Sequence, residues 1–254
     1  MAPVPTVLET LALLQQHARP AALEGMARFG IDIERRLGVS VPDLRRTARR
    51  VGRDHALALA LWQTGIPDAQ ILAGLVAEPA RLSARQMDAW AKTMRSWDVC
   101  DGACLNAFVH APPAWDRVAA WAGRHDEYAR RAAFALLATL AVHDKTSDDS
   151  RFIGALPLIE AASDDGRNFV KKAVNWALRN IGKRNATLNA AAIACAQRLA
   201  QRDSRAARWI AADALRELRS AAVRRRLGLV PSSERPGPVQ GGGTAGADGG
   251  NIGP

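Results

Sequence analysis

From Gly52 onward the chain repeats one unit, a pair of helices, and no other feature narrows its fold as much. Windows with apolar residues at three- and four-residue spacing, the mark of amphipathic helices, fall at 54–64 and 67–78, 83–94 and 97–108, 113–123 and 126–143, 149–163 and 166–183, and 186–201 and 203–219. The pairs start at 54, 83, 113, 149 and 186, so the steps are 29, 30, 36 and 37 residues. A single hairpin of this size cannot bury its apolar face alone. Steps of this length belong to arrays in which each pair packs on its neighbours and the row curves into a superhelix with a concave face. No alternating strand pattern competes, so the expected class is all-α, an α-α superhelix (solenoid); the alternative is an ordinary helical bundle. Ahead of the array, helices are expected over 4–17 and 20–28, followed by a break at Phe29-Gly30-Ile31. Another helix opens at Gly38 to Arg45, with Ser40 as its cap and Pro42 in its first turn. Past Leu229 the chain turns to Pro, Gly and Ser and reads as a flexible tail. The organisation expected is one helical-repeat domain over 1–228 and a tail over 229–254.

Charge is localised. The whole chain carries +10, yet from Arg167 to Gly228 there are 15 Lys and Arg against 3 Asp and Glu, so the remainder is near neutral. A concentrated basic region suits a polyanion, with DNA or RNA first and an anionic membrane surface second. Three cysteines without a framework spacing suggest reduced thiols, and no apolar run reaches the roughly 18 residues of a membrane span. A soluble, cytoplasmic protein is therefore expected, and a monomer, since nothing in the chain signals oligomerisation.

Two stretches carry candidate chemistry. In Ser96-Trp97-Asp98-Val99-Cys100-Asp101, Trp97 and Asp101 are four apart and share a helix face. One account is capping, with Asp98 as N-cap and Asp101 as the N3 acid. The other is a site in which Trp97 walls a pocket and Asp101 stabilises positive charge. In 166–183, Val170, Ala173, Val174, Ala177, Leu178 and Ile181 form a core stripe. Lys172, Trp176, Arg179 and Lys183 form a second row, cations with an indole among them, as nucleic-acid surfaces often have. The bland account of Trp176 is an edge-of-core residue with snorkelling neighbours. In 126–143 Arg131 falls opposite the core stripe and Arg130 sits beside it; one of the two is expected to be a solvated surface charge. Second helices of neighbouring hairpins lie side by side in a stacked array, so these residues would line one cleft.

Trp97-Asp98-Val99-Cys100-Asp101, Arg130-Arg131-Ala132-Ala133-Phe134-Ala135-Leu136 and Phe169 to Arg179 together resemble, in order, spacing and residue type, the AlkD-like DNA alkylation repair family of HEAT-like repeat DNA glycosylases. The similarity runs from about Leu23 to Leu218 and takes in Gly38 to Arg45. It implies HEAT-like hairpins with a concave DNA-binding face. Trp97, Asp101 and Trp176 match the family's active-site aromatic, acid and aromatic, and Arg131 matches its cleft arginine that contacts the DNA backbone. Arg179, Lys172 and Lys183 are expected to hold phosphates beside it. The implied reaction is hydrolysis of the N-glycosidic bond of cationic N3- or N7-alkylated purines in duplex DNA, without cofactor or metal and without drawing the base into a deep pocket. A base that already bears positive charge leaves readily, so the difficulty moves to an oxocarbenium-like sugar. Asp101 would stabilise that cation and orient water, while Trp97 and Trp176 pack on the deoxyribose.

The chain departs from the family at Ser96, where relatives carry a further aromatic, and at Phe29, where they carry a tyrosine; the one tyrosine here is Tyr128. A rival reading is a non-catalytic helical-repeat scaffold that binds DNA or a protein along the same face. Asp101 separates the two, because a pure phosphate-binding cleft gains nothing from a central acid. Cys100 and Cys104 near His110 read as small core residues rather than metal ligands. Trp62, Trp90, Trp115, Trp121 and Trp209 read as inter-helix packing, and Arg224-Arg225-Arg226 as a solvated basic end.

Overall fold

The computed structural model describes residues 5–229; the tail expected past Leu229 lies outside the described residues from 230 onward. Among the described residues there are fourteen α-helices and no strand. α1 (Val7–Gln15) starts at a capping box between Thr6 and Glu9. The expected second helix divides into a 3₁₀ turn, Pro20–Ala22, and α2 (Leu23–Arg28). α3 (Val41–Val51) begins as read, with Ser40 accepting from the Asp43 amide and a proline in the first turn, a pairing that satisfies one orphan donor and uses a residue with no N–H to lose.

The five hairpins follow in the order expected: α4 (His55–Gln63) with α5 (Pro67–Val76), α6 (Ala84–Thr93) with α7 (Trp97–Asn106), α8 (Ala114–Ala122) with α9 (Glu127–His143), α10 (Asp149–Ala162) with α11 (Asn168–Gly182), and α12 (Ala186–Ala200) with α13 (Arg205–Leu218). A short α14 (Ala221–Arg226), capped by Ser220 and anchored by buried Val223, carries the Arg224 to Arg226 run. The second helices pack in sequence, α3 on α5, α5 on α7, α7 on α9, α9 on α11 and α11 on α13; α6, α8, α10 and α12 form the other layer. The core is continuous between the layers, from Leu14 to Leu218. α9 and α11 make the most extensive helix pair. Ala132, Ala133, Ala135 and Ala138 of α9 and Ala173 and Ala177 of α11 are buried, and such small side chains let helix axes approach closely.

Polar ties one repeat apart set the register of the stack. Asp88 on α6 accepts from Trp121 Nε1 at 2.7 Å and Arg117 Nη1 at 2.8 Å on α8. Within one hairpin, Asp144 after α9 accepts from Trp115 Nε1 of α8 at 2.9 Å. Cys100 and Cys104 are buried, their thiols directed at the carbonyls of Tyr128 and Ala132 on α9, so they are packing residues of the α7–α9 contact. Trp62 and Trp90 stack with ring centroids 4.1 Å apart, as the packing reading requires. Trp209 does not fit that reading. It is 40% exposed, because it lies off the stripe of Ala207, Ile210, Ala211, Ala214 and Leu218 that α13 buries. No helix among the described residues is long and apolar enough to cross a membrane.

Candidate active site

α7 begins at Ser96, which is nearly fully buried and makes no side-chain cap bond to the helix amides. Its hydroxyl instead donates to Asp98 Oδ1 at 2.5 Å and accepts from the Asp32 amide at 3.2 Å. Asp98 is taken by Arg36, which donates from Nη1 and Nη2 at 2.7 and 3.0 Å and from Nε to the Asp32 carbonyl at 2.8 Å. The capping account of this stretch therefore fails: Asp98 is the second residue of the helix and faces Arg36, and Asp101 is the fifth, beyond reach of the free amides. The loop between α2 and α3 is strapped to the start of α7 by these bonds. One more comes from Trp97, whose Nε1 donates to the Phe29 carbonyl at 3.1 Å and so fixes the plane of its ring. The next residue, Gly30, adopts φ 71°, and a Cβ there would stand 2.8 Å from Phe169 Cζ. Only glycine lets the loop lie this close to α11.

Asp101 meets Arg131 of α9 in a two-pronged pair, Nε to Oδ1 at 2.9 Å and Nη2 to Oδ2 at 2.6 Å. The third arm of the guanidinium, Nη1, donates to the Phe169 carbonyl of α11 at 2.7 Å. One arginine thus joins three successive second helices. Its Cζ lies 5.8 Å from the centre of the Trp97 ring. The Asp101 side chain keeps 20% of its surface open, whereas that of Arg131 keeps none. Burial raises the Asp101 carboxyl above its ordinary value although the Arg131 charge pulls it down. Arg131 is held charged: burial opposes its charge, and the Asp101 carboxylate outweighs that.

The expectation that Arg131 contacts the DNA backbone is corrected by this geometry, since a wholly buried guanidinium with all three arms engaged presents no donor to a phosphate. The expectation that Arg130 or Arg131 is a solvated charge also fails, because Arg130 donates to Asp165 at 3.1 Å. The α11 row holds a similar lesson. Trp176 is partly buried against the core, seven residues past Phe169, or about 10 Å along the helix. Arg179 pairs with Glu217, and Lys183 donates to the same carboxylate at 2.7 Å. Burial pushes the Glu217 carboxyl up, but its bonds to Lys183 and Arg179 outweigh this and hold it below the usual range. Arg179 and Lys183 therefore share one carboxylate of α13, which offsets part of their charge. Of the four cations expected to hold phosphates, Lys172 alone has no carboxylate partner among the described residues.

Trp97, Asp101 and Arg131 are brought together, and Trp176 lies further along the adjoining helix. Two residues here, Arg36 and Trp209, were not singled out for the site by the sequence, and Phe29 entered only as a departure from the family. Arg36 gave no signal, since its partner Asp98 is 62 residues away. Phe29 is 76% exposed beside the Trp97 indole that its own carbonyl holds. Trp209 stands under Lys171, whose Nζ is 4.7 Å from the ring centre, an aromatic-cation pair on the same row of helices.

A family model described as DNA alkylation repair enzyme matches residues 10–218. No curated protein matches the chain. Among solved structures the fold is similar to that of a member of a family of proteins related to the HEAT-like repeat DNA glycosylases with affinity for branched DNA structures. The identity is 19% and the TM-score 0.71, over 88% of this chain and 97% of that one. An engineered protein, with 15% identity and a TM-score of 0.41 over 85% of this chain and 99% of its own, and a designed armadillo repeat protein, with 15% identity and a TM-score of 0.36 over 82% and 98%, also match.

Proposed function

Because the chain belongs to the DNA alkylation repair enzyme family, whose model spans residues 10–218, we propose that it is a DNA glycosylase. It would hydrolyse the N-glycosidic bond of cationic N3- or N7-alkylated purines in duplex DNA. The observation that supports this most is the Asp101–Arg131 pair: a carboxylate aimed by two hydrogen bonds, partly open, with an indole fixed beside it. Away from bulk water, an oriented negative group stabilises a developing oxocarbenium ion without having to reorganise during the reaction. Arg131 acts as a positioning residue. It fixes the carboxylate and leaves its exposed edge to the sugar and the attacking water. Trp97 and Trp176 would offer electron-rich ring faces to the cationic sugar.

Asp101→Asn tests the assignment. Base release from methylated duplex DNA is expected to fall on the order of 10²- to 10³-fold while DNA affinity changes little; release of 7-methylguanine at the parental rate would remove Asp101 from the reaction. The chemistry needs the ionised acid, and burial raises its titration. The acid limb of base release should accordingly sit above the ordinary aspartate value of about 3.9.

One observation favours a second reading, a binding protein for duplex or branched DNA. Arg131 compensates the charge of Asp101, so the acid repels a phosphate backbone less than its isolated charge implies, and it separates catalysis from binding less sharply than the sequence suggests. A protein of this second kind would bind a four-way junction more tightly than a duplex and release no base from either.

A further inference from the structure

At the far end of α11 from Phe169 a hollow of about 200 Å³ opens between the ends of α9 and α11, the start of α12 and the end of α14. Its polar lining is Lys145, Asn180, Lys183, Arg184, Asn185 and Arg226, with no carboxylate among the lining residues. The inner wall is rigid. Arg184 donates from Nη1 to the Ala141 carbonyl at 2.7 Å and lies 4.0 Å over the Phe152 ring. Its Nε is buried without a hydrogen-bond partner. Asn185 and Lys183 are held from outside the hollow by Asp149 and Glu217, and these acids, with the negative ends of α9 and α11, offset part of the positive charge. Lys145 and Arg226 at the rim are exposed, with no carboxylate partner among the described residues. Four cations surround this small space, and of these only Lys183 has a carboxylate partner among the described residues, which suits an oxyanion.

We propose that this hollow receives a backbone phosphate of bound nucleic acid. The inference rests on DNA being the partner, as the proposed function has it. Position favours a backbone phosphate over a free anion. Asn180 and Lys183 continue the α11 row that carries Lys172, Trp176 and Arg179, so the hollow ends the same helix face. Lys183 follows Trp176 by seven residues, about 10 Å of helix. A strand whose reacting nucleotide lies near Trp176 can then be gripped at a neighbouring phosphate, at a point remote from Asp101.

The test uses the full chain and a labelled, unmodified duplex, comparing the parent with the double variant Lys145→Ala/Arg226→Ala. At about 0.1 M salt the dissociation constant is expected to rise on the order of tenfold. The slope of log affinity against log salt should become shallower by about 2, one for each phosphate-facing cation lost. The pair Lys145→Arg/Arg226→Lys should restore both, and melting curves confirm that the variants fold. Unchanged affinity and slope in the double variant overturn the proposal. So does an arm in which millimolar inorganic phosphate raises the melting temperature of the parent and not of the variant while duplex affinity is equal, because the hollow would then be a free-anion site. Base release is scored separately. A chain that releases no base but loses DNA affinity in the double variant supports the hollow and refutes the glycosylase reading.

Discussion

A carboxylate taken out of water costs several kcal/mol unless a cation of matching geometry goes with it, and at Asp101 that cation is Arg131, fully buried and engaged on all three arms. The pair cannot be valued as two independent contacts. Removing the arginine strands the Asp101 carboxylate and the Phe169 carbonyl together, and both lie where three helices meet. Arg131→Ala should therefore destabilise the fold by about 3–5 kcal/mol, seen as a drop in melting temperature on the order of 10 °C for a chain of this size. A loss of DNA affinity with an unchanged melting temperature would instead make Arg131 a phosphate ligand. The sequence does place Asp101 and Trp97 on one face. It cannot say that a guanidinium 30 residues later fills the space in front of the acid.

At the scale of elements, each hairpin is tied to the next by a few polar contacts between layers of apolar packing. Asp144, which ties the end of α9 back to α8 within one hairpin, shows how such a polar contact responds to pH. Burial pushes its carboxyl up, but bonds from Ser147, Trp115 and the backbone amides of Ser147 and Thr146 outweigh this and hold it far below the ordinary range. A folded-state value depressed below the unfolded one contributes stability that is present above the unfolded value of about 3.9 and lost as pH falls towards the folded one. Chemical denaturation at stepped pH should show the parent losing stability as pH falls from about 5 towards 2, with Asp144→Asn losing less over that interval. Equal pH profiles would mean that the Trp115–Asp144 tie is not formed in solution. The helix start at Ser40 with its proline was legible at this scale because it rests on local chemistry, whereas the first helix, expected from residue 4, starts at Val7 behind a capping box of Thr6 and Glu9. The short α14 was not legible, because its single buried anchor, Val223, shows no periodicity.

Over the whole molecule, the basic segment from Arg167 to Gly228 keeps less free charge than its composition suggests. Of its three acids, Glu217 takes Arg179 and Lys183, Asp213 takes Arg216 and the Asn175 amide, and Asp203 takes Arg208. Arg198 and Arg202 reach Glu160 and Asp164 on α10. The cations left over should govern the salt dependence of DNA binding. Lys172→Ala is expected to make the log–log slope shallower by about 1, and Lys183→Ala by less, since Glu217 already offsets its charge; equal effects would show that the ion pair opens when DNA binds.

The sequence alone determined the all-helical class, the hairpin steps and the faces on which Trp97, Asp101 and Trp176 lie. Those follow from periodicity and capping, interactions that span three to four residues. Which charges are free was decided by the tertiary structure. Partners such as Asp101 and Arg131, Arg36 and Asp98, or Lys183 and Glu217 lie 30 to 62 residues apart, and they meet through the packing of one helix on another, which no local pattern encodes. Trp209 is exposed for a local reason, since it lies off the stripe of Ala207, Ile210, Ala211, Ala214 and Leu218 that α13 buries.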